Sequence, residues 1–402
     1  MGRHPTRRLD SRLKLAARTK SPLFNATGAA RSLRAAPLFA IGPAAPGPAL
    51  RRGALVAIPV GIALLVELGL DSPTKGAIGT GALLAGFPAL DAPARTRAAW
   101  QGAAAPLIGL TAALGALTGS SAVLAVVTMA VVGAAAGYCF SVSLRLAIAG
   151  LSVALSLLIA QGLPLDAADA LPALLFAAAG GICQALFSFA VWAWERMRRE
   201  SRVHMRPRHP ARPAPVWDWG GGVADLRANL TLRSTSARHA IRFGGALAAG
   251  VAAYWLLDMH EHGFWIPLTI LFVMRPEEEE TFHRLILRAI GTAVGLVIAT
   301  ALSHWLQGDG VALALALTIA TAFAYGLLTV QYALFTTAIT TYAVLLADTL
   351  GEPVLHAAGQ RALATAIGIA ISAAAFLIWS NPATGEEVSR EGSLPPPSAP
   401  AR

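Results

Sequence analysis

Two arginines four residues apart, Arg284 and Arg288, share one face of any helix that carries them, and permanent positive charge on such a face gathers carboxylates. Glu277 to Glu280 stand beside them and Glu280 precedes Arg284 by one turn, so an ion-paired, solvated turn is the other reading of the same residues. Arg145 and Arg361 each begin an apolar run, where burying a cation is costly and usually serves a purpose; snorkelling back to the interface is the alternative. Thr336, Thr337, Thr340 and Thr341 recur at helical spacing with Gln331 and Tyr342 nearby. Such a stripe either lines a polar path or packs helices by returning its hydroxyls to the backbone. This chemistry holds an anion and does not transform one: no nucleophile–base pair or carboxylate cluster stands near a membrane face, and an enzyme is not expected. His260, Glu261 and His262 lack the HExxH arrangement, and no Walker A sequence occurs, so neither a metal, a cofactor nor ATP hydrolysis is expected of the chain.

The elements that must position these groups are membrane helices. Of the 402 residues 55% are hydrophobic and 13% charged, whereas a soluble domain carries about 25% charged residues. The net charge of +10 is concentrated in the stretches 1–52 and 196–212, as basic flanks facing anionic lipid would be, and nucleic acid is not the expected partner. Cys139 and Cys183 lie in apolar runs without disulfide or zinc spacing. Twelve apolar segments read as helices, because in lipid each must satisfy its own backbone hydrogen bonds.

Setting Arg51 against Arg238 and running both stretches forward without a gap pairs Arg97 with Arg284, Tyr138 with Tyr325, Gly181 with Gly368 and Trp192 with Trp379. Such pairings predict duplication of a six-helix unit. Six is even, so both copies enter from one side and form parallel repeats about an axis along the membrane normal. The expected fold is therefore all-α and integral to the membrane: a basic, disordered tail over 1–50, a first repeat over 51–194, a linker over 195–237, a second repeat over 238–380 and a disordered tail over 381–402. The tail reads as a cytoplasmic segment and not as a cleaved signal. Arg95, Arg97, Arg145, Arg196, Arg198, Arg284 and Arg288 fall on one side, which places both termini and the linker in the cytoplasm.

The second segment of each copy, 76–90 and 263–275, is too short for the roughly 20 residues that span a bilayer. Short segments at matching positions in two repeats point to a midplane binding site, the alternative being tilted helices with ends drawn too tightly. In the second copy this region reads HGFWIPLTILFVMRPEEEETFHRLILRAIGTAVG, and through Trp265, Thr269, Pro276, Arg288, Gly291, Thr292 and Gly295 it resembles the fusaric acid resistance family. The layout of six helices, linker and six helices extends the resemblance over 51–379. The resemblance implies an exporter of aromatic carboxylic acids, with plant malate channels as distant relatives. The first copy departs from the pattern, with Ile78, Ala82 and Gln101 where Trp265, Thr269 and Arg288 stand.

The function expected is secondary efflux of aromatic or other carboxylate-bearing compounds across a bacterial inner membrane; a passive organic-anion channel and a membrane assembly partner without transport are the alternatives. Candidate substrate-binding residues are Trp265, Thr269, Arg284, Arg288, Arg145, Arg361, Thr336 and Thr340. Partners are the organic anion and the lipid bilayer, with a periplasmic adaptor protein and a homo-oligomer also admitted. Glu67, His304 and Asp348 are the membrane-embedded titratable groups, all near segment ends, and none is assigned as a proton carrier.

Overall fold

A computed structural model describes residues 46–70, 76–202, 231, 234–259, 263–276, 278–306, 309–328, 330–349 and 353–378. Residues 1–45 of the basic tail, most of the linker, the His260–Glu261–His262 group and the 381–402 tail lie outside the described residues. The described residues hold twelve α-helices and no strand: α1 (Pro46–Glu67), α2 (Ala77–Gly86), α3 (Ala94–Thr118), α4 (Ala122–Tyr138), α5 (Leu144–Gly162), α6 (Ala170–Arg202), α7 (Thr235–Leu256), α8 (Trp265–Val273), α9 (Glu278–Leu306), α10 (Gly310–Leu327), α11 (Tyr332–Thr349) and α12 (Val354–Ile378). Where loops meet helices, short polar side chains fix the starts. Ser143 accepts the Leu146 N–H at 3.2 Å, and Asp309 accepts those of Val311 and Ala312 at 2.9 and 3.1 Å, so donors that a helix leaves unpaired find partners.

Eight helices are long and apolar enough to cross a membrane: α1, α3, α4, α5, α6, α9, α10 and α12. The remaining four differ for two physical reasons. At 10 and 9 residues, α2 and α8 rise only about 15 Å each. Full length does not rescue α7 and α11, because α7 carries Arg238, His239 and Arg242 and α11 carries five threonines and Asp348. On the outside, large apolar side chains face solvent in quantity, Val123 at 70% and Val297 at 71% exposure among them, and only an apolar solvent makes such a surface favourable.

The helices pair in a pattern that recurs six helices on. Within the first six, α3 packs on α5 and α6, α2 on α1 and α6, and α4 on α5. Within the second, α9 packs on α11 and α12, α8 on α7 and α12, and α10 on α11. The two sets are tied by exchange: α1 lies along α10, and α7 lies along α4. Close backbone approach makes this possible, for a Cβ added at Gly53 would meet the Ala322 carbonyl and the Gly326 backbone. The buried core follows the same plan, since one cluster joins Leu84, Ile108 and Leu158 to Leu247, Ile266 and Phe376, and another joins Val56 and Phe87 to Leu317 and Phe335.

Candidate functional site

Two half-length helices frame the site. A glycine with φ +95° opens α2, a conformation that a side chain would disfavour, and the Glu67 carboxylate at the end of α1 accepts the Ile78 and Gly79 N–H groups at 2.7 and 3.0 Å. Pro267 is tolerated in the first turn of α8, where its missing N–H is not needed. The stop comes from Pro276, which biases Arg275 away from helical geometry; Met274 is already extended. Thr281 closes this break by accepting the Arg275 N–H at 3.0 Å and donating to its carbonyl at 3.4 Å. The short segments of the sequence are thus true half-helices.

Between them lies a cavity of about 150 Å³. It runs the length of both half-helices, from Ala77 to Phe87 and from Phe264 to Phe272, and is closed laterally by α5, α6 and α11. Both six-helix sets line it, and Leu155, Ser156, Ile159 and Ala160 of α5 stand opposite Tyr342, Ala343, Leu346 and Ala347 of α11, which are their counterparts in the Arg51–Arg238 register. The wall is almost entirely apolar and aromatic. Its one cation among the described residues is Arg361, fully buried on α12, whose guanidinium carbon sits 5.2 Å from the Trp265 ring centroid. Arg361 Nε and Nη1 have no hydrogen-bond partner among the described residues. A buried, unneutralised guanidinium costs several kcal/mol, so the arrangement favours an anion that reaches it. Tyr342 and Ser156 supply hydroxyls, and Ser156 donates to the Ile108 carbonyl at 2.7 Å.

The floor of the cavity is aromatic. Phe87 and Phe272 meet Phe335 with ring centroids 6.4 and 5.6 Å apart, and Phe87 meets Tyr325 edge-on at 4.9 Å. Below it Arg288, also fully buried, places its guanidinium carbon 5.3 Å from the Phe272 ring. Arg361 and Arg288 lie within electrostatic reach of each other.

The eight sequence candidates therefore separate. Trp265 and Arg361 line the cavity. Thr269 sits behind it, donating to the Trp265 carbonyl at 3.0 Å and packing on Gly368 of α12, so it positions α8 and does not face the space. Arg288, Thr336 and Thr340 are buried together where α9 meets α11. Near the start of α9, Arg284 binds Glu280 at 2.8 Å and covers the Tyr332 ring at 4.5 Å. Partly exposed at the start of α5, Arg145 stands 3.8 Å from Asp91 and away from the cavity. Sequence reasoning noted Tyr342 beside the threonine stripe but passed over Phe87, Phe272 and Ser156, since an aromatic or serine in an apolar helix carries no signal of what it faces. Of the titratable candidates, Glu67 is buried as described, Asp348 accepts the Ser303 hydroxyl at 2.8 Å, and His304 is exposed.

Residues 247–375 match the family described as fusaric acid resistance protein-like, a stretch that holds Trp265, Phe272, Arg288, Tyr342 and Arg361. Among curated proteins the chain is similar to inner membrane protein YccS of Escherichia coli, 39% identical over 156 residues, which is 38% of this chain and 21% of that protein. It is also similar to protein slr1298 of Synechocystis, 32% identical over 39% of this chain and 20% of that one, and to protein ORF2 of Neisseria gonorrhoeae, 29% identical over 38% and 37%. The match thus spans a minor part of each relative. No solved structure matches significantly. With eight helices fit to cross a bilayer and a match that encloses the cationic wall of the cavity, the chain is a multi-span membrane protein whose residues 247–375 form a fusaric acid resistance protein-like region.

Proposed function

We propose that the chain is a secondary exporter of aromatic carboxylates, with the cavity between α2, α5, α8 and α11 as its binding site. The observation that carries this reading is Arg361 beside Trp265 in an otherwise apolar, aromatic-lined space: the guanidinium takes the carboxylate and the rings take the aromatic body. A volume near 150 Å³ is that of cavities known to take a benzene ring, which favours one-ring acids. In the proposed topology twelve crossings form two parallel six-helix repeats about an axis through the cavity, in an inner membrane, with both termini cytoplasmic. The helix pairings that recur six helices on, and the facing of α5 by α11, support that axis. In this orientation α2 and α8 begin on the periplasmic side, so the cavity belongs to that half and the aromatic floor seals it from the cytoplasm. A seal of packed rings favours alternating access over the passive channel.

The test is a panel of organic acids applied to strains that lack or overproduce the chain. Overproduction is expected to raise tolerance to benzoate-sized aromatic acids and leave tolerance to aliphatic amines unchanged. Identical sensitivity of both strains to every acid would count against export.

A further inference from the structure

Threonines in the helices of this chain usually satisfy their own hydroxyls. Thr111, Thr118, Thr128, Thr318, Thr321 and Thr337 each donate to the carbonyl four residues back, at 2.6 to 3.0 Å. Four threonines on α9, α11 and α12 depart from that habit. The Oγ1 atoms of Thr292, Thr336, Thr340 and Thr365 are buried and have no hydrogen-bond partner among the described residues, and the five N–H donors of the fully buried Arg288 guanidinium are met there by no more than the Tyr332 hydroxyl. Unmet buried donors are costly, and four hydroxyls on three mutually packed helices call for a partner.

The backbone brings them together. Arg288 and Thr292 lie one turn apart on α9, as Arg361 and Thr365 do on α12, and α9, α11 and α12 pack mutually. Two glycines on α9 admit the threonines of α11: a Cβ added at Gly291 would come 2.7 Å from Thr336 Cβ, and one at Gly295 2.8 Å from Thr340 Cβ. The first six helices hold no equivalent, for Gln101, Ala105, Ala149, Val153 and Ala178 stand at the counterpart positions of Arg288, Thr292, Thr336, Thr340 and Thr365. Phe272 separates this group from the cavity, which its ring lines while also lying 5.3 Å from the Arg288 guanidinium carbon. The Tyr332 hydroxyl donates to the Phe272 carbonyl at 3.1 Å and is an electrostatic neighbour of Arg288, tying the ring's backbone to the polar group beneath.

We infer that Arg288, Thr292, Thr336 and Thr340 form a second oxyanion-binding subsite, closed in this conformation, and that the Phe272 ring is the gate between it and the cavity of Arg361. The inference rests on the proposed export of carboxylates, whose anionic group would pass from the Arg288 subsite to Arg361 as the ring moves aside. The hydroxyls are held off their own carbonyls because the arriving carboxylate, which accepts several hydrogen bonds, is their partner.

The test is thiol accessibility in the full chain with Cys139 and Cys183 replaced by Ser and Thr292→Cys added, probed with an anionic and a cationic methanethiosulfonate of similar size. With Phe272 in place the modification is expected to be slow. Adding Phe272→Ala should speed the anionic reagent at least tenfold, and adding Arg288→Gln to that variant should abolish the preference for the anion. An unchanged rate on opening Phe272, or equal rates for the two reagents, would overturn the subsite. Thr292→Val and Thr336→Val, which keep side-chain volume, supply the second arm: benzoate efflux from proteoliposomes falls at least tenfold while equilibrium benzoate binding is retained, and wild-type efflux in both variants would also overturn it. If the wild-type chain neither binds nor moves benzoate while the thiol results hold, the export reading fails and the oxyanion subsite stands.

Discussion

A guanidinium and an indole on neighbouring helices meet in the wall of the cavity, and each was identifiable by type in the sequence before its surroundings were known. Arg361 stood out because it begins an apolar run, and Trp265 because it belongs to a short family-like stretch. Their meeting was not legible, since residues nearly a hundred positions apart are joined by the packing of α8 on α12 through Thr269 and Gly368. Arg145 looked equivalent to Arg361 in sequence; burial separates them, as Arg145 has a carboxylate neighbour at a more exposed position, and Arg284 has the Glu280 partner that its spacing suggested. Replacing Arg361 by Ala is expected to lower benzoate efflux about a hundredfold, the usual cost of removing a buried charge-assisted partner. Arg361→Lys should recover only part of the loss, because an ammonium lacks the planar fork. Quantitative efflux with surface-exposed tag counts as a control for insertion checks both. Trp265→Leu removes ring stacking worth about 1 kcal/mol, so roughly fivefold weaker benzoate binding is expected by titration.

Helices set where those side chains stand, and here the sequence pattern was most informative. Run length marked α2 and α8 as short, and the structure resolves the choice between half-helix and tilted helix through the Gly76 and Met274 backbone. Glycine approaches were less legible, because a glycine in an Ala-rich apolar helix reads the same whether it faces lipid or a neighbour. Gly295 faces Thr340, and a Cβ there would sit 2.7 Å from the Thr337 carbonyl oxygen. Gly295→Val is therefore expected to spread α9 from α11 at a cost of about 1 to 3 kcal/mol, read as a lower melting temperature in detergent. Gly245, which has no atom within 4 Å of an added Cβ, is the matched control, and Gly245→Val should leave the melting temperature nearly unchanged.

At the scale of the molecule, matched Arg, Tyr and Trp residues gave the reading of two related sets, but nothing local encodes that α1 leaves its own set to lie on α10 while α7 lies on α4. That exchange makes each set depend on the other for burial of its first helix. Expressed as two chains cut within 203–230, the halves are expected to co-purify from membranes, and each alone to be degraded. Recovery of a stable, monodisperse first half would contradict the exchange. The same architecture places one cationic wall in a cavity shared by both sets, so the account as a whole requires that, while the Arg288 subsite is closed, one anion binds per chain with Arg361 at the centre of its site. Equilibrium binding of radiolabelled benzoate to the purified full chain tests this most directly: saturable binding of about one benzoate per chain, weakened at least tenfold by Arg361→Gln in a protein of unchanged melting temperature, is the expected result, and equal binding by the two proteins would contradict it.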